Sequence, residues 1–161
     1  MRRSWPLVFA GVSLVVSGCS TTTTHAGGDP GGAIVRSLIP ETRIALPPGA
    51  ESVSVHVSEP TWESLGCDGT SGWTLASVNI SFSTGLPSDA IHQSANQSMS
   101  EAGWTSIPTP SYLGPTFAVW SKPANEGVMA IHLDGSNPGE PSTTWHLTGT
   151  EPAKGQAVRN C

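Results

Sequence analysis

The chain has 161 residues, 37% of them apolar, with 18 Gly, 14 Pro, 6 Trp and 3 Cys, a length that suits one ordinary domain rather than two. Its 12 Asp and Glu outnumber its 7 Lys and Arg, giving a formal charge of −5, so phosphate is repelled and nucleic acid is excluded as an expected partner. Charged residues make up 12%, against roughly a quarter in an average soluble domain, and the tryptophans argue against a wholly disordered chain.

Met1-Arg2-Arg3 is a short basic start, and residues 7–16 form an apolar run shorter than the ~20 residues that span a bilayer. This combination predicts a secretory signal peptide over residues 1–18. The run ends in Val16-Ser17-Gly18-Cys19, which resembles the lipobox of bacterial lipoproteins: an aliphatic residue, two small residues and a Cys. The resemblance covers this segment alone. It implies transfer of a diacylglyceryl group to the Cys19 thiol, cleavage before Cys19, and anchoring of the mature chain to the cell membrane through acyl groups such as palmitate, on the extracytoplasmic side. Arg2-Arg3 also hints at twin-arginine export, but Ser4, Trp5 and Pro6 do not complete that pattern. Without residues 1–18 the chain keeps 12 acidic and 5 basic side chains, a formal charge of −7. An anionic membrane face would not hold it electrostatically, so the lipid is the expected anchor.

Residues 19–32 are rich in Thr and Gly and read as a flexible tether. Residues 33–161 are expected to form a single α+β domain, large enough to bury about two-thirds of its unfolded surface. Residues 52–57 alternate, with Val53, Val55 and Val57 on one face and Ser54 and His56 on the other, the pattern of a half-buried strand. Residues 75–83 repeat it: Ala76, Val78, Ile80 and Phe82 face inward, and Ser77, Asn79, Ser81 and Ser83 face water. Such a sheet has one wet face and is expected to be antiparallel. A Gly-rich loop carrying Trp62, Cys67 and Gly72-Trp73 separates the two strands.

A helix is predicted after Pro87, with Ser88 as N-cap, Asp89 in the first turn and Ile91, Ala95, Met99 and Ala102 as its apolar stripe. Gly103 fits the left-handed position after the last turn and would bring Trp104 against Met99 in a Schellman closure. Residues 105–116 contain Pro108, Pro110 and Pro115 and read as irregular. Three further strands, near 117–121, 128–133 and 144–148, are joined by short Pro-, Gly- and Asn-rich turns as an antiparallel meander. Pairing Leu133 with Trp145 and Ile131 with Leu147 sets a register that places His132 opposite His146. The expected fold is β-β-α-β-β-β: one helix packed on a mainly antiparallel sheet of about five strands.

With Cys19 lipidated, Cys67 and Cys161 remain, an even pair in an exported chain, and they are expected to form a disulfide. That bond would close a loop on the order of 95 residues, contribute about 4 kcal/mol and pin the C-terminus. No His or cation beside Cys67 suggests a lowered thiol pKa.

Few residues suggest chemistry. His132 and His146, joined by His56 if it shares their sheet face, would make a nitrogen-rich site for zinc or copper; plain surface histidines are the default, so no metal and no cofactor is assigned. His25 lies in the tether and His92 on the helix, without ligand-like neighbours. The segment from Asp134 to Glu140 is faintly like a calcium loop, but Pro138 occupies a ligand position and no bidentate acid closes it, which favours a hairpin turn. Gly69-Thr70-Ser71-Gly72 has the wrong glycine spacing for a nucleophile elbow and reads as a turn. Paired carboxylates in an apolar setting, H-E-x-x-H and a phosphate loop are all lacking, so catalysis is not expected.

Of the five tryptophans in the domain, Trp62, Trp73, Trp104 and Trp145 are assigned mainly to the core. With Phe117 and Val119 facing inward, Trp120 is expected on the opposite face, within reach of the His132 strand and covered by the loop of Tyr112. Together Trp120, Tyr112, His132 and His146 make the candidate binding surface. In its lipobox, Thr/Gly tether, low Lys content and single Cys-paired domain the chain resembles the small envelope lipoproteins of high-GC Gram-positive bacteria, many of which have no assigned activity. The expected function is a membrane-anchored, non-enzymatic binding module for an envelope protein or small ligand. The alternatives are a metal or ligand carrier using the histidines, and a cell-wall hydrolase.

Overall fold

The computed structural model describes residues 31–63, 71–109, 117–124, 127–135 and 144–153. The chain is an α+β structure in which two helices lie on one face of a mainly antiparallel sheet. Helix α1 (Gly31–Arg43) is followed by β1 (Glu51–Ser58), then a small ribbon of β2 (Trp62–Glu63) and β3 (Gly72–Trp73), then β4 (Leu75–Ser83). Helix α2 (Ser88–Glu101) leads to β5 (Thr105–Ile107), β6 (Phe117–Ala124), β7 (Gly127–Gly135) and β8 (Thr144–Pro152). The main sheet runs β1-β4-β8-β7-β6-β5. The expected meander of the last three strands holds, while β8 crosses back to pair with β4 and so joins it to the earlier part of the chain. Among the described residues no helix is long and apolar enough to cross a membrane.

Four features correct the sequence-based expectation of one helix on five strands. Helix α1 precedes the first predicted element. Its buried stripe is Val35, Leu38 and Thr42, three and four residues apart. Pro40 stands inside it and removes one intrahelical donor, while the Thr42 hydroxyl donates to the Leu38 carbonyl at 2.8 Å. The helix lies on β4 and β8, and Gly149 permits the approach, because a Cβ there would collide with Thr42 Oγ1. Residues 105–107, expected to be irregular, form β5 against β6. At the two ends of the Gly-rich stretch, Trp62–Glu63 and Gly72–Trp73 pair as the β2–β3 ribbon, with Trp62 opposite Trp73 and the two rings edge-on at 5.8 Å; Gly72 is thus a strand residue rather than a turn residue. Finally, Pro87 rather than Ser88 is the α2 N-cap, in extended conformation and with no side-chain cap bond, and Ser88 is the first helical residue.

The closure of α2 follows its sequence. Gly103 has φ +79°, the left-handed value that glycine takes without strain. The Trp104 amide donates to the Met99 carbonyl at 2.9 Å and the Gly103 amide to Ser100 at 3.0 Å, which is the Schellman pair of bonds. Ile91, Ala95 and Met99 are buried, as is the inward row of β4, Ala76, Val78, Ile80 and Phe82.

The last hairpin keeps the predicted faces but not the predicted register. Leu133 faces Leu147, Gly135 faces Trp145, and Asp134 rather than His132 faces His146. A shift of two residues preserves sidedness, and packing selects it: a Cβ at Gly135 would lie 2.9 Å from the Trp145 ring, so the indole sits over the residue that has none. Valines 53, 55 and 57 are not half-buried strand residues of a covered face. All eight residues of β1 are exposed, because α1 lies over β4 and β8 and leaves this margin uncovered.

Candidate functional site

Trp120 is turned to the face opposite the predicted one. It is 1% exposed and pairs with Ile131, which puts it on the inner, helix-covered side, while Phe117 and Val119 face outward and are half-buried. Alternation fixes which residues share a face but not which face is covered, and burying an indole removes more apolar area from water than burying a valine.

Around Trp120 the inner face forms a cleft of about 340 Å³ lined by Asn96, Ser100, Trp104, Ser106 and Trp120. Asn96 and Ser100 are four apart on α2 and therefore share one helical surface; the remaining residues come from the α2 closure, β5 and β6. The Trp120 indole donates through Nε1 to Asn96 Oδ1 at 3.0 Å, leaving the Asn96 amide nitrogen as a donor. The lining is uncharged: one amide, two hydroxyls and two indoles.

Behind the cleft, the Trp104 indole donates to Glu41 Oε2 at 2.9 Å. Lys122 Nζ lies 3.2 Å from both Glu41 oxygens and 5.7 Å from the centre of the Trp104 ring, an ion pair combined with a cation–π contact. Glu151 completes this cluster from β8. It is 8% exposed, its Oε2 has no hydrogen-bond partner, and burial, with the Glu41 carboxylate adding to it, raises its pKa above the ordinary value. Two neighbouring carboxylates with one held toward its neutral form is an arrangement used in acid–base catalysis. Neither carboxylate lines the cleft, however, and Glu41 is committed to Lys122 and Trp104, so the cluster ties α1 to the sheet.

The histidines do not gather. His56 pairs with Asn79, Asn79 with Thr148, and Thr148 with His132, so His56 and His132 stand three strand spacings apart, about 14 Å. His146 is one row away, between Ser81 and Asp134, and its Nδ1 is 3.0 Å from Ser81 Oγ. The His132 ring meets Phe117 edge-on at 5.8 Å, and burial lowers its pKa. His92 packs edge-on against Trp145 at 5.7 Å. Among the described residues no group of three or more His, Cys, Asp or Glu is placed to hold a metal ion.

Cys19, Cys67, Cys161, Tyr112 and His25 lie outside the described residues, and so do Ser136–Glu140 of the faint calcium loop. Of the predicted binding surface, the structure places His132 and His146 on the outer face and Trp120 on the inner face, so these three do not form one site. Sequence reasoning missed Glu41, Asn96, Lys122 and Glu151. The signal for Glu151 was present: continuing the Trp145–Leu147 alternation by four residues puts a carboxylate on the covered face. Asn96 follows Ala95 of the buried stripe and marks the stripe's edge. No family model matches the chain, and neither the curated proteins nor the solved structures compared with it gave a match.

Proposed function

We propose that this chain is a lipoprotein anchored through Cys19 to the extracytoplasmic side of the cell membrane, whose domain binds a small, uncharged, hydroxyl- or amide-bearing molecule without chemical turnover. The observation that carries the binding reading is the cleft between α2 and the β5–β6 margin. Its volume of about 340 Å³ falls in the range of small-ligand sites. Its lining offers the Asn96 amide and the Ser100 and Ser106 hydroxyls beside two indoles, a set that matches neutral hydrogen-bonding ligands and holds no charged side chain to pair with an ionic one. The anchoring reading is supported by the basic start, the apolar run and Val16-Ser17-Gly18-Cys19.

Titrating the protein with N-acetylglucosamine, glucose and acetamide, followed by indole fluorescence and thermal midpoint, tests the binding reading. A ligand in hundredfold excess over its Kd adds about 2.7 kcal/mol of stability, and Ser106→Val should abolish that gain while the midpoint without ligand stays put. A midpoint indifferent to every neutral probe removes the small-ligand reading. Anchoring is tested separately by labelled palmitate, which should enter the wild-type chain and not Cys19→Ala, with the variant leaving the membrane fraction.

A further inference from the structure

The outer face of the main sheet changes character at one end. Across β1, β4 and β8 its cross-strand rows are polar: Ser58 stands opposite Ser77 and Ser77 opposite Thr150, while His56, Asn79 and Thr148 form the next row. The last row breaks this pattern. Leu75 stands opposite Pro152, and Val128 opposite Pro123. The two pairs adjoin, because a Cβ at Gly127, next to Val128, would lie 3.1 Å from Pro152 Cγ. Leu75 is 41% and Val128 57% exposed, so this apolar row ends the sheet in the open.

The β2–β3 ribbon extends the row. The Thr74 amide donates to the Thr61 carbonyl at 2.9 Å, and the Thr61 amide to the Thr74 hydroxyl at 2.9 Å, which fixes the ribbon beside Leu75 at the start of β4. Its Trp62 is 45% exposed and packs edge-on against Trp73. Apolar side chains scattered singly over a surface are ordinary; here they gather at one end, and the tether arrives at that same end. A Cβ at Gly32, the second residue of α1, would lie 3.6 Å from Glu59 Oε1, and Glu59 directly follows the last residue of β1, shortly before Trp62. The 12 residues from Cys19 to Pro30 reach at most about 40 Å.

We propose that this apolar rim is a second membrane contact, with the Trp62 indole and the row from Leu75 to Pro123 settling into the headgroup region of the bilayer that holds the acyl groups. The inference rests on the reading that Cys19 carries the anchor. A bilayer is favoured over a protein partner because the short tether brings the membrane, and no other surface, opposite this end of the domain. Trp is the side chain suited to that depth, since its ring is apolar and its N–H seeks a polar neighbour. The contact is apolar and not electrostatic: Glu59 and Glu63 flank Trp62, Glu126 follows Ala124 in the chain, and the chain without residues 1–18 carries a formal charge of −7. Anionic headgroups therefore oppose docking, and salt relieves that opposition.

The test reconstitutes the full lipidated chain into phosphatidylcholine vesicles with and without bromine on the acyl carbons nearest the headgroup. Flotation with the vesicles reads the anchor, and quenching of indole emission by the brominated lipid reads the docking. The wild type should float and be quenched. Trp62→Gln should float equally and lose the quenching, and Val128→Glu, which keeps Trp62 as reporter, should be quenched less. Circular dichroism and the thermal midpoint report whether each variant folds, and if Trp62→Gln does not, Val128→Glu decides alone. Vesicles of phosphatidylglycerol should quench less than phosphatidylcholine at low salt, with added salt closing the gap. A chain that floats but is not quenched overturns the docking and leaves the rim to a protein partner or a second copy, while the anchor stands. Quenching that survives Trp62→Gln, is unchanged in Val128→Glu, or is stronger with phosphatidylglycerol overturns it too. A chain that does not float removes the anchor, and the docking falls with it.

Discussion

The two margins of the main sheet are finished in opposite ways. At the β5–β6 margin, α2 lies over the strands, the Trp120 and Trp104 indoles donate to Asn96 and Glu41, and a polar cleft opens between helix and sheet. At the β1 margin no helix arrives among the described residues, and Val55 and Val57 stand exposed on the side that elsewhere makes the core. The alternating pattern is as regular in β1 as in β4, yet one becomes an open edge and the other the centre of the fold. Periodicity specifies which residues share a face; whether that face is buried depends on where the helices stop.

Breaking the covered margin should give the largest effect. Trp120 is among the largest fully buried side chains, and Trp120→Ala removes both its ring contacts and its bond to Asn96. Truncating a buried Trp costs about 3–5 kcal/mol, visible as a fall in thermal or denaturant midpoint, and it should also abolish any ligand response. A loss below about 1 kcal/mol would mean that the covered margin contributes little and that the contrast between the two edges is not energetic.

The contact that closes the cleft is a smaller test of the same margin. Asn96→Ala leaves the Trp120 indole nitrogen without its acceptor, and an unsatisfied donor of this kind costs about 1–3 kcal/mol. Ser100→Ala, one turn further along α2, keeps that acceptor and should stay within about 0.5 kcal/mol while weakening binding. Chemical denaturation of the two variants beside the wild type separates the structural role of the cleft wall from its binding role.

How much of this was legible in the sequence follows from the same contrast. The β4 row, the β6–β7–β8 meander and the α2 closure were legible because each is written locally, in alternation, in short turns, or in a glycine at the left-handed position. Helix α1 was not: it starts on Gly31-Gly32 and carries Pro40 inside, both breaking signals, and Leu38 and Thr42 find their place only against β4 and β8. The side of Trp120 depended on the strand partner Ile131. The candidate cleft is a meeting of α2 with β5, a three-residue strand next to a Pro-rich stretch, and no local pattern brings those together.

The buried cluster behind the cleft gives a pH-dependent test. Glu151 has a raised pKa because burial, and then Glu41, disfavours its charged form, so the folded chain holds that proton more tightly than the unfolded chain does. Its contribution to stability is full below the ordinary value of 4.5 and is lost as pH rises through the folded value. Glu151→Gln should therefore raise the thermal midpoint at neutral pH and lose that advantage in acid. His132 runs the other way: burial lowers its pKa from 6.5, so its contribution is present above that value and is lost as pH falls through the lower folded one. His132→Gln should flatten that part of the stability profile.

The smallest effect is expected at the bare margin, and it is the most discriminating. Val57 of β1 stands directly opposite Val78 of β4, one 41% exposed and the other fully buried. Replacing either by Thr keeps the β-branched shape, so what differs is only the fate of the new hydroxyl. At Val57 water satisfies it, and Val57→Thr should change stability by no more than about 0.5 kcal/mol in dilute solution. At Val78 the hydroxyl enters the core without a partner and should cost about 1–3 kcal/mol. Equal losses at the two positions would mean that β1 is covered in solution even when the protein is dilute, and the two margins would then differ in what covers them rather than in whether they are covered.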